Sequence, residues 1–200
     1  MKQLALALLL GVSLLPAGTL SKHDRDFGMS YLHATRKMFL DSVAGLSDAQ
    51  WTFKPSPNAW SIAECAEHIA LSEDMLFNVA TVKAMQTPAT PEKAAELKGK
   101  DEMLLKMLPD RGKKAQAPEQ LKPTGRWKTP REAVAAFKKS RDAHIAYLNK
   151  TGDDLRAHVL DHPAFGPLDG YQWLLLLSGH TERHTLQILE VKKAPGYPGK

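Results

Sequence analysis

Apolar residues recur at helical spacing in four stretches of the chain, each bounded by a start signal or a breaker. The first runs from about Asp24 to Val43, with Phe27, Tyr31, Met38 and Phe39 among its apolar positions, and Gly45 ends it. The second, Ser61 to about Met85, puts Ile62, Cys65, Ile69, Leu76 and Val79 on one stripe. The third covers Pro130 to about Lys150 through Val134, Phe137, Ile145 and Leu148. The fourth covers Asp169 to about Lys193 through Trp173, Leu177, Ile188 and Val191. Its run from Trp173 to Leu177 is apolar all round, the pattern of a central helix.

Three of these starts have the spacing of a capping box, in which each side chain reaches a free backbone N–H at the other's position. They are Ser61 with Glu64, Thr129 with Glu132 and Asp169 with Gln172. Pro130 follows Thr129 at the first helical position, where a missing N–H costs nothing. Trp51 to Ala59, with Pro55 and Pro57, reads as a loop, and no stretch alternates convincingly as a strand. Between the second and third helices lies a long connection, Thr87 to Lys128, punctuated by prolines, with a short helix expected from Glu92 to Leu108. A connection of that length favours a bundle with one crossover over a series of hairpins. The expected fold is all-α: one four-helix bundle over residues 20–200.

Composition narrows the functional classes. Two hundred residues, 43% hydrophobic and 24% charged, can bury one core. The net charge of +5 is mild. The basic residues Arg111, Lys113, Lys114, Lys122, Arg126 and Lys128 fall in the long connection, with Arg131 just past it, rather than on a helical face interleaved with aromatics. That argues against a nucleic-acid partner and for a solvated linker. Cys65 is the single cysteine, so no internal disulfide or cysteine-only metal site can form. Residues 1–19 have the form of a signal peptide: Lys2, an apolar run from Leu4 to Leu15, then Pro16-Ala17-Gly18-Thr19. The run falls short of the about 20 apolar residues of a membrane span. Export to the periplasm is expected, with an uncleaved N-terminal anchor as the alternative.

The eight histidines carry the candidate chemistry. His180 and His184 stand four apart on the stripe that includes Trp173, Leu177 and Ile188, so both point toward the bundle axis. Two imidazoles so placed can share one metal ion; satisfied core histidines are the alternative. His68 lies on the buried stripe of the second helix, seven residues past Ser61, while His180 is eleven past Asp169. Whether the three meet depends on helix direction, which the sequence leaves open. If they meet, they form a three-ligand site with one open position, the catalytic rather than the structural pattern.

The segment Asn58-Ala59-Trp60-Ser61-Ile62-Ala63-Glu64-Cys65-Ala66-Glu67-His68-Ile69-Ala70, together with His180-Thr181-Glu182-Arg183-His184-Thr185-Leu186-Gln187-Ile188, resembles the two signatures of the DinB-like superfamily of four-helix metalloenzymes. The resemblance spans the chain from the first helix to the fourth. It implies an up-down-down-up bundle with the crossover between helices two and three. It also implies that His68, His180 and His184 form a metal triad for a divalent ion, zinc or nickel. Some relatives are thiol transferases or isomerases that use bacillithiol or mycothiol.

The remaining candidates have plainer expectations. Glu67 faces about 100° away from His68, toward solvent. Glu182 and Arg183 should point sideways from the site, Arg183 as a structural ion pair. Arg141, His144 and His33 are candidates to border the cavity, His158 and His162 are expected exposed in a loop, and Cys65 is expected in the core. The function that follows is a metal-dependent enzyme acting on an unidentified small molecule, hydrolysis ahead of thiol or group transfer. A non-catalytic metal-binding or stress-related protein is the alternative, and an interaction module using the basic crossover is a third. The oligomeric state is left open, a homodimer included.

Overall fold

Every helix start with capping-box spacing forms where its residues stand. In the computed structural model, which describes residues 20–112 and 116–199, the Ser61, Thr129 and Asp169 side chains accept from the backbone N–H of Glu64, Glu132 and Gln172, and each box closes reciprocally. The long helices are α1 (Lys22–Val43), α3 (Ile62–Asn78), α6 (Pro130–Lys150) and α7 (Gly170–Lys192). α3 is carried on by a π-helical turn, Val79–Lys83, and a 3-10 turn, Ala84–Gln86. After α1 the chain turns at Gly45, whose φ of +65° suits a residue without a Cβ. Residues 1–19, on which the export signal falls, lie outside the described residues, as do Lys113 and Lys114. No helix among the described residues is long and apolar enough to cross a membrane.

Several expectations are corrected. Part of the segment read as a loop after α1 is a short helix, α2 (Asp48–Thr52), which starts on a fourth capping box, Ser47 with Gln50, and buries Trp51. The chain also contains a hairpin of two antiparallel strands, β1 (Val159–His162) and β2 (Gly166–Asp169). Each strand is four residues long, too short for alternation to show. His158 and His162 are consequently half-buried: the His158 ring pairs with the Thr87 carbonyl, and His162 packs on Phe165 and Trp173.

Contacts between the four long helices fix their directions. Tyr171 and Glu182 of α7 bond Asp24 and Tyr31 of α1, so those helices are parallel. Arg25 reaches the Leu148 carbonyl while Phe39 meets Phe137, so α1 and α6 are antiparallel. Glu73 pairs with Arg141 and Phe77 with Tyr147, so α3 and α6 are parallel. Gly170 lies against Ala80 and His184 against His68, so α3 and α7 are antiparallel. The order is up-down-down-up, as the fold class anticipated. The reversal that makes α3 and α6 parallel requires the long crossover, which carries α4 (Pro91–Leu97), α5 (Lys100–Met107) and a 3-10 turn at Glu119–Leu121. The short helix expected across Glu92 to Leu108 is thus two helices.

α5 packs on the outer side of α7, which is why Trp173 to Leu177 are all buried. Close approach there depends on Gly179. A Cβ at that position would lie 2.7 Å from Leu108 Cδ1 and 2.8 Å from Leu108 Cβ. Alanine in a helix gains about 1 kcal/mol over glycine, but overpacking costs about 1–3 kcal/mol. Gly179→Ala is therefore expected to lower the thermal midpoint by roughly 2–4 °C per kcal/mol lost. A midpoint raised above the parent's in a calorimetric scan, the gain alanine gives a helix with nothing to oppose it, would refute the close contact.

Among the described residues the core is two apolar clusters, one toward each end of the bundle. One centres on Leu32, Leu76, Leu148 and Tyr171, the other on Phe39, Ile62, Ile69, Phe137 and Ile188. Between them every long helix contributes buried polar groups at the same level: Thr35 from α1, Ser72 and Glu73 from α3, Arg141 and His144 from α6, Thr181 from α7.

Candidate metal centre

The antiparallel pairing of α3 and α7 decides where the histidines meet. From the contact of Ala80 with Gly170, twelve residues back along α3 lead to His68, and twelve forward along α7 lead to residue 182. Both paths rise about 18 Å. His68 therefore stands level with the gap between His180 and His184. The three rings pack with centroids 4.8 Å (His68–His180), 4.4 Å (His68–His184) and 4.5 Å (His180–His184) apart. One ring nitrogen from each lies within 4.8 Å of the other two. The Nε2 atoms of His68 and His180 are 3.1 Å apart.

Outer partners set the rings. His68 Nδ1 is 2.8 Å from the Leu121 carbonyl, so Nδ1 carries the proton and donates, leaving the Nε2 lone pair directed into the cluster. His184 Nδ1 stands 2.9 Å from Gln187 Oε1, which also accepts from Arg111 at 3.3 Å. Arg111 is fixed in turn by Glu190 at 2.8 Å. The Trp60 ring lies 4.9 Å from that of His68 and 6.0 Å from that of His184 and covers both.

All three imidazoles are held neutral. Burial pushes His68 below the usual histidine range, and its bond to Leu121 only partly opposes that. Burial, then the neighbouring rings of His184 and His68, push His180 well below it. Burial and His68 bring His184 down to about 3. Neutral nitrogens keep the lone pairs that a metal needs. Two nitrogens bound tetrahedrally at about 2.0–2.1 Å sit roughly 3.3 Å apart, close to the spacing of His68 and His180. An all-nitrogen, uncharged, half-enclosed donor set fits a divalent transition metal.

Other expected neighbours are elsewhere. Arg141 and His144 are buried but face Glu73, and the His144 ring stacks on Phe77. His33 is exposed, in a surface groove between α1 and α6. Cys65 is buried in the core, where burial raises its thiol above the usual range. Glu182 accepts from the Tyr31 hydroxyl at 2.6 Å, and Arg183 donates to the carbonyls of Leu108 and Asp110. Glu67 is the clear correction: it is 3% exposed, covered by residues 124–126 of the crossover. Gln187 and Leu121 were not anticipated. Gln187 three residues past His184 was a readable signal, whereas Leu121 reaches the site only through tertiary structure.

Comparison with known proteins agrees with this architecture. The chain is 27% identical over 165 residues to the uncharacterized protein YuaE of Bacillus subtilis (strain 168), covering 82% of this chain and 97% of that protein. Among solved structures it is similar in fold to YfiT from Bacillus subtilis, a probable metal-dependent hydrolase with an unusual four-helix bundle topology. The TM-score is 0.53 at 15% identity, over 90% of this chain and 92% of the other. The model of the DinB superfamily matches residues 31–188, most of the length over which the bundle extends, and the chain belongs to that superfamily.

Proposed function

We propose that this protein is a metal-dependent hydrolase whose zinc or nickel ion is held by His68, His180 and His184. The observation that carries the reading is the convergence of three neutral imidazoles from antiparallel helices, two of them oriented from behind by a carbonyl and an amide. The fold likeness to YfiT, a probable metal-dependent hydrolase, supports the reaction class. A divalent ion with three protein ligands keeps a position for water or substrate and acts as a Lewis acid that lowers the pKa of water toward about 7. The chain's own part is positional. Leu121 and Gln187 hold two rings with Nε2 inward, Arg111 holds Gln187, and Trp60 shields the cluster from bulk water.

The test is elemental mass spectrometry on the purified chain, followed by a panel of ester, amide and lactam substrates with and without chelator. The expected result is one zinc or nickel ion per chain and at least one hydrolysis that chelation abolishes and that ion restores. A chain that takes up no ion even on reconstitution would overturn the metal centre. An ion bound without any hydrolysis would overturn the reaction class and turn attention to thiol transfer or to a non-catalytic metal-binding role.

A further inference from the structure

The carbonyl that orients His68 belongs to the last residue of the crossover's turn Glu119–Leu121, after which the chain has no further regular structure until α6. Something must hold it against α3. Glu67, the residue before His68, does so. Its carboxylate accepts the N–H of Thr124 at 2.8 Å, of Gly125 at 2.8 Å and of Arg126 at 3.0 Å, and the Thr124 hydroxyl at 3.1 Å. Gly125 has a φ of +76°, and that left-handed turn lets successive N–H groups converge on one anion. Four donors use most of what a carboxylate can accept. All of these bonds go to the crossover, three to five residues past Leu121.

We propose that Glu67 is a positioning residue for the metal centre. It docks residues 124–126 so that the Leu121 carbonyl meets His68 Nδ1, which fixes the Nδ1–H tautomer and keeps Nε2 free for the ion. This rests on the metal-centre reading, but the orientation of His68 can be measured without any metal. In sequence terms, the residue that pointed away from the site acts on it through the chain that covers it.

The experiment compares the full chain with Glu67→Gln and Gly125→Ala. The amide presents N–H groups to backbone donors, and the alanine strains the left-handed turn while leaving the carboxylate in place. Asp24→Asn, which loosens the ion pair with Arg156 at the other end of the bundle, controls for stability alone. The metal-free proteins are read by the long-range imidazole 15N–1H spectrum, and Zn2+ affinity by competition with a chromophoric chelator. In the parent, His68 is expected as the Nδ1–H tautomer. Both test variants should shift it toward a mixture and weaken Zn2+ binding by about 10–100-fold, the usual effect of losing an outer partner. Asp24→Asn should leave both readouts at the parent's values. An unchanged His68 spectrum in Glu67→Gln and Gly125→Ala would overturn the proposal, as would an Asp24→Asn variant that matched their losses. If the parent binds no Zn2+, the metal-centre reading fails, and the tautomer shift alone decides the role of Glu67. If Glu67→Gln does not fold, Gly125→Ala carries both readouts.

Discussion

Alanine at His180 or His184 is expected to leave a folded bundle that no longer retains a divalent ion. Loss of an outer partner already weakens a metal site about 10–100-fold, so loss of a donor should cost at least about 100-fold. The fold should survive because neither histidine belongs to the apolar clusters that join the helices. Burial has in fact stripped the three imidazoles of water, and the bonds of His68 and His184 return only part of that loss. Thermal denaturation separates the two effects. Ion at about 100 times its dissociation constant adds about 2.7 kcal/mol to the parent, a rise of roughly 5–10 °C for a chain of this size. The same ion should leave the midpoint of either variant unmoved, and His68→Ala should behave alike. A variant that still bound one ion per chain and still rose with it would refute the three-histidine site.

The level at which those histidines meet shows where sequence reading succeeds and stops. Cap, stripe and breaker are local, so Ser61 with Glu64, Thr129 with Glu132 and Asp169 with Gln172 are legible from residue type and spacing alone. The Ser47 and Gln50 box has the same spacing, but the prolines beyond it make Trp51 to Ala59, the end of that helix included, read as a loop. His180 and His184 fall on one inward stripe by periodicity alone. Their meeting with His68 needs the direction of α3 relative to α7, which is a property of the crossover and not of either helix. Glu67 fails for the same reason. Rotation about the helix axis correctly turns it away from His68, but what lies on that side is chain from more than fifty residues later. Glu73 and Arg141, distant in sequence, give no local sign that they find each other.

Arg141→Met is expected to be the most destabilising single change in the bundle. The Arg141 side chain is fully buried, paired through Nε and Nη2 with Glu73, and donates to Thr35, Thr181 and the Leu32 carbonyl. Removing it leaves a carboxylate in the core with, among the described residues, only His144 and Thr181 as partners. Breaking such a pair from one side costs about 3–5 kcal/mol, whereas replacing both members by apolar residues of similar volume is often nearly neutral. Arg141→Met combined with Glu73→Leu should therefore recover much of the loss in urea denaturation. The pH dependence gives an independent check of sign. Burial alone would raise the Glu73 pKa, but the charge of Arg141 and its hydrogen bonds outweigh that and hold it at about 2, against an ordinary value of 4.5. A depressed carboxyl contributes its full stability above the unfolded value and loses it as pH falls from about 4.5 toward 2. In Arg141→Met the unpaired carboxylate favours its proton, so the same acidification should restore stability relative to the parent. Parallel losses in parent and variant over that window would show that Arg141 is not what keeps Glu73 charged.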